Sequence, residues 1–111
     1  EKSDLDVPLK DGTDDTAYLN LLQSILPGLI EKEKPDLAFY LSGVDILATD
    51  KYGKLKVTMN GCRQRDEIVF SLLKKNNIPC VVAMGGGYSE EVYYLFFIAR
   101  LFLINNYRYR K

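Results

Sequence analysis

A chain of 111 residues has room for one small domain, and its 47% hydrophobic content is that of an ordinary globular core. Fifteen basic and fifteen acidic side chains cancel, so no global field draws the chain to nucleic acid or an anionic membrane, although "YRYRK" at residues 107–111 forms a small basic tail. The longest apolar run, Val92 to Ala99, is too short to cross a bilayer, and the absence of histidine removes the usual general base and the commonest metal ligand.

The first predicted element is a helix within "DGTDDTAYLNLLQSILPGLIEKEK". Its apolar residues Tyr18, Leu21, Leu22, Ile25 and Leu29 follow the three-to-four spacing of one helix face. Thr13 is the expected N-cap, with Asp14 and Asp15 at the positive end of the helix dipole. Pro27 is expected to bend this helix without ending it, because Leu29 and Ile30 continue the stripe. Residues 37–41, "LAFYL", then form a continuous apolar run of strand length. Apolarity on both faces fits a parallel strand covered by helices on each side.

From Thr58 a second helix reads "MNGCRQRDEIVFSLLKKNN", with Cys62, Val69, Leu72 and Leu73 on one face and lysines and asparagines at its end. "IPCVVAM" is a second buried strand. Ser89 caps a predicted third helix, "EVYYLFFIARLFLI", that is apolar nearly all the way round. Helix, strand, helix, strand, helix make an α/β layer, with a parallel sheet and helices on both faces. The two cysteines, Cys62 and Cys80, lack the close spacing of a thiolate metal site and read as buried thiols in a reducing compartment, which predicts a cytoplasmic protein, or a nuclear one in a eukaryote.

Two parallel strands are far fewer than the five or six of a typical sheet, which averages about that number, and each would leave an edge open. The chain is therefore expected to be part of a larger sheet, completed by further sequence of the same protein or by a second chain. A greasy homodimer is the alternative. An opening at Glu1 in place of methionine agrees with a piece of something longer.

A right-handed crossover makes the strands parallel and brings their C-terminal ends to one edge. The first strand ends in "LSGVDILATD" and the second in "MGGGYS", so Asp45 and Tyr88 are expected to face the same crevice, where open α/β sheets bind ligands. Asp45 is a hard oxygen donor suited to a divalent metal, and a phenol can donate to an oxygen that turns anionic during hydrolysis. Glycines at 85–87 let a ligand or a neighbouring loop approach the backbone. By spacing alone, Asp45 could equally cap a loop, and the glycines could simply make a turn.

The wording of these loops goes further. "PDLAFYLSGVDILATDKYGKLKVTMNGCRQRDEIVF", followed by "IPCVVAMGGGYSEEV" and preceded by "VPLKDGTDDTAYL", resembles the C-terminal part of the histone deacetylase catalytic domain, in its class IV and bacterial deacetylase-like branch. The likeness runs from about Val7 to the third helix. It implies that residues 1–111 are an incomplete, C-terminal segment of an arginase-like three-layer α/β domain. The implied activity is that of a zinc-dependent amidohydrolase that removes acyl groups from lysine side chains of proteins or from small acylated amines.

By that resemblance, Asp45 is one of the protein ligands to Zn2+, Tyr88 stabilises the tetrahedral intermediate, and Gly86 and Gly87 line the channel for the acyl-lysine. Asp50, Arg65 and Asp66 also fit the branch's wording and are expected to be loop and helix-surface scaffolding. The other zinc ligands and the general base belong to histidine-bearing sequence upstream, so the segment alone is expected to be inactive. It would need the N-terminal part of the domain, or a second chain, as its partner.

Two other readings use the same residues. A phosphate or nucleotide module would cradle an anion on the glycine loop at the start of the third helix, but Glu90 and Glu91 oppose it and no lysine follows as in a P-loop. A non-catalytic α/β interaction module would keep the fold and dock through its aromatic third helix.

Overall fold

A computed structural model of the chain describes residues 3, 5–83 and 85–87. Its elements are α1 (Asp15–Glu33), β1 (Ala38–Leu41), α2 (Met59–Lys75) and β2 (Cys80–Ala83). The expected third helix and its Ser89 cap lie outside the described residues.

Helix α1 is capped by Asp14, not Thr13: the Asp14 carboxylate accepts from the Ala17 N–H at 3.0 Å. Thr13 uses its hydroxyl on the preceding turn, donating to the Lys10 carbonyl at 2.6 Å. The helix runs through Pro27 to Glu33, where Lys34 takes the left-handed conformation (φ 44°) and donates its N–H back to Ile30. Only Leu19 and Ile30 of α1 are buried, so its predicted stripe, from Tyr18 to Leu29, is half-buried.

Helix α2 begins at Thr58, whose hydroxyl accepts from the Gly61 N–H at 3.0 Å. Asp15 joins the two helix starts, taking bonds from the Thr58 N–H and hydroxyl at 2.6 and 2.5 Å. The residues α2 buries include the predicted Cys62, Val69 and Leu73 and also Phe70, Arg65 and Asp66. Leu72 is half-buried.

The two strands are direct neighbours and parallel, pairing Ala38 with Cys80 and Leu41 with Ala83. Both show a half-buried, exposed alternation. The inner face packs Ala38, Tyr40 and the half-buried Cys80 against Ile30, Val69, Leu73 and Ile78, beneath α1 and α2. Phe39 and Leu41 point the other way, 71% and 75% exposed. Among the described residues, helices cover one face of the sheet, and the helices expected on the opposite face do not lie among them.

A second core forms around the long connection from β1 to α2. Val44, Leu47 and Val57 are buried with Cys62, and Tyr18, Ile46, Leu55 and Met59 pack against them. The connection is therefore built like a small core and not like a solvated loop. Leu47 N–H donates to Val44, Asp50 N–H to Leu47 and Ala48 N–H to Val57, at 3.1, 3.0 and 2.9 Å. This framework holds Asp45.

Candidate functional site

Beyond β1 the chain stays joined to the segment after β2. Ser42 N–H donates to the Ala83 carbonyl at 2.9 Å and Val44 N–H to the Gly86 carbonyl at 3.3 Å. Val44 and Leu47 drive inward on either side of Asp45, which leaves Asp45 exposed on the turn between them. Its carboxylate lies against the glycine loop, with Oδ2 3.2 Å from where a Cβ on Gly86 would be. Asp45 and the glycine loop thus meet at the C-terminal edge of the two strands, as the crossover argument requires. Tyr88 lies outside the described residues.

Gly86 and Gly87 have φ of 80° and 126°, a conformation that side-chain-bearing residues rarely adopt. Two further glycines matter here, Gly43 and Gly53, neither of which the sequence pattern singles out. A Cβ on Gly43 would overlap the Gly85 carbonyl oxygen, and a Cβ on Gly53 would overlap the Asp45 carbonyl oxygen.

Asp50 is loop scaffolding as expected: its Oδ1 accepts from the N–H groups of Tyr52 and Gly53 at 2.9 and 2.8 Å. Arg65 and Asp66 are not on the helix surface. They are 5% and 7% exposed, on the side of α2 that faces the sheet. The Arg65 Nε donates to Asp66 Oδ1 at 2.9 Å, and its two terminal nitrogens donate to the carbonyls of Gly43 (2.7 Å) and Ser42 (3.3 Å). The Tyr40 hydroxyl donates to the same Asp66 oxygen at 2.6 Å.

The burial is tolerated because the two charges satisfy each other and the guanidinium also satisfies the carbonyls of Ser42 and Gly43. Burial works against the guanidinium's charge, but the Tyr40 and Asp66 oxygens outweigh it and hold Arg65 above its usual range. Tyr40 is pushed above the ordinary tyrosine range by burial first. Its ring stacks edge-on to Phe70, centroids 5.6 Å apart, with the guanidinium carbon 5.8 Å from its own centroid. Cys62 is fully buried in the second core, and that burial raises its thiol to about 11.

The donor set fits one share of a divalent-metal site. Asp45 offers an exposed anionic oxygen that no donor among the described residues satisfies. No group of three or more metal-ligating side chains clusters among those residues, and the sequence has no histidine. Other ligands would have to come from outside the described residues.

Residues 1–97 match the family model of the histone deacetylase domain. The chain belongs to the histone deacetylase family. It is 39% identical over 93 residues to an uncharacterized protein of Picosynechococcus sp., which covers 84% of this chain and 31% of that protein. It is 38% identical over 88 residues to Histone deacetylase 2 of Arabidopsis thaliana, covering 79% of this chain and 23% of the other. With Histone deacetylase B of Dictyostelium discoideum the identity is 34% over 85 residues, 77% and 19% of the two chains. The chain therefore spans less than a third of each of these relatives. Its parallel α/β architecture agrees with the family, and none of its described helices is long and apolar enough to cross a membrane.

Proposed function

We propose that the chain is the C-terminal segment of a zinc-dependent deacetylase catalytic domain, acting on acyl-lysine in proteins or on small acylated amines. The observation that carries this reading is the exposed Asp45 carboxylate seated against Gly86 at the C-terminal edge of the sheet. Asp45 would give the metal one hard, anionic oxygen. When bound, zinc supplies Lewis acidity, polarising a carbonyl and making water acidic enough to deprotonate near about pH 7.

The chain's own residues do the rest of their share around that point. Gly86 and Gly87 keep side chains off the floor of the site, leaving room for an extended acyl-lysine. The Tyr88 hydroxyl donates a hydrogen bond to the acyl oxygen as it gains negative charge. Water gives one proton to a general base as its oxygen bonds to the acyl carbon, the carbon–nitrogen bond breaks, and the lysine amine leaves with a proton from a general acid. That acid and the remaining ligands come from the other part of the domain or from a second chain, in a cytoplasmic or nuclear setting.

A phosphate-binding use of the glycine loop is disfavoured by the Asp45 carboxylate beside it, which would repel an anion. The full-length protein should release acetate from an acetyl-lysine peptide, lose that activity to a chelator, and regain it with added zinc. Activity untouched by thorough chelation would refute the reading.

A further inference from the structure

We propose that Arg65 is a positioning residue for Asp45, clamping the backbone that carries the carboxylate; the inference rests on Asp45 being a metal ligand. In an extended strand, consecutive carbonyls point to opposite sides. The carbonyls of Ser42 and Gly43 instead converge on one guanidinium, at 3.3 and 2.7 Å. The chain must therefore leave the strand path at this point, and that departure swings Asp45, two residues on, over the strand ends toward Gly86.

The clamp is itself fixed. Asp66 takes the third arm of the guanidinium, and Tyr40, on the strand that leads into the turn, bonds to the same Asp66 oxygen. Helix α2, β1 and the Asp45 turn are thus tied through one planar cation. Arginine suits this task because its fork holds several acceptors in fixed directions, whereas a lysine ammonium is a point charge on a flexible stem. Arg63, two positions earlier on α2, makes no such link; it pairs with Asn60 and Glu67 on the exposed side.

The test is zinc affinity of the full-length protein, measured by competition with a chromophoric chelator, together with the visible spectrum of the cobalt-substituted form. Arg65→Lys should weaken zinc binding by about tenfold or more, in the range found when groups that orient a ligand are removed, and should alter the cobalt spectrum. Arg63→Lys should leave both unchanged. An arginine that only stabilises the fold would lower the melting temperature and move neither readout.

Asp45→Ala separates the two levels of inference. If it loses zinc while folded Arg65→Lys keeps wild-type affinity and spectrum, the positioning role is overturned and the ligand assignment stands. If Asp45→Ala itself keeps wild-type affinity, the ligand assignment fails, and the role of Arg65 with it. Should Arg65→Lys not fold, Asp66→Asn, which keeps the shape of the anchor and removes its charge, is read in its place: severalfold weaker zinc binding supports the proposal, and wild-type binding overturns it.

Discussion

Gly43→Ala adds one methyl group where two loops touch. That methyl would overlap the Gly85 carbonyl oxygen and approach Asp45 Oδ1 to 3.3 Å. The first obstacle is backbone, so no side-chain rotation relieves it. Gly43 does not have a positive φ, and the penalty is steric and not conformational. Relief requires the loops to part, which breaks the Val44–Gly86 hydrogen bond. Overpacking of this kind costs about 1–3 kcal/mol and the lost bond about 0.5–1.5, together about 2–4 kcal/mol. In urea unfolding of the full-length protein the midpoint should fall by on the order of 1 M. Zinc should bind more weakly as well, because Asp45 moves with the loop. A midpoint and a zinc affinity indistinguishable from wild type would refute the proposed contact between the two loops.

Alkaline pH should destabilise the fold. Burial holds the Cys62 thiol up to about 11, against an ordinary value of 9.0, so between those values the unfolded chain loses its proton while the folded chain keeps it. Stability from this group is complete below about pH 9 and is lost as pH rises toward 11, by about 2–3 kcal/mol. Tyr40 and Tyr18, both raised by burial, act in the same direction. Urea midpoints across this window should fall, less steeply in Cys62→Ala, and a flat profile in the wild type would contradict the burial of these groups. Tyr88→Phe in the full-length enzyme should lower turnover by roughly a hundredfold, comparable with losing one oxyanion donor, with metal content unchanged; full activity would show that Tyr88 has another role.

The periodic parts of the chain were legible because their signals are local. The stripe of α2, the brief apolar runs of β1 and β2, and the parallel crossover that brings Asp45 to the glycine loop all follow from spacing and order. Asp14 and Thr13 are both capping residue types; Thr13 spends its hydroxyl on the Lys10 carbonyl and Asp14 caps α1. Arg65 and Asp66 read as surface charges because such residues are seldom buried. Their burial depends on α2 lying over the end of β1, where Arg65 reaches the carbonyls of Ser42 and Gly43. Gly43 and Gly53 were opaque for a related reason: each is required by a neighbour that folding, not sequence, brings near. The apolar faces of β1 and β2 promised cover on both sides, and the described residues supply it on the side of Tyr40 alone.

The metal content of the purified full-length protein, compared between wild type and Asp45→Ala, bears most directly on the site. One zinc ion per catalytic domain in the wild type and its loss from the folded variant are the expected results. Zinc retained at wild-type stoichiometry by folded Asp45→Ala would contradict the placing of a metal ligand at this edge of the sheet.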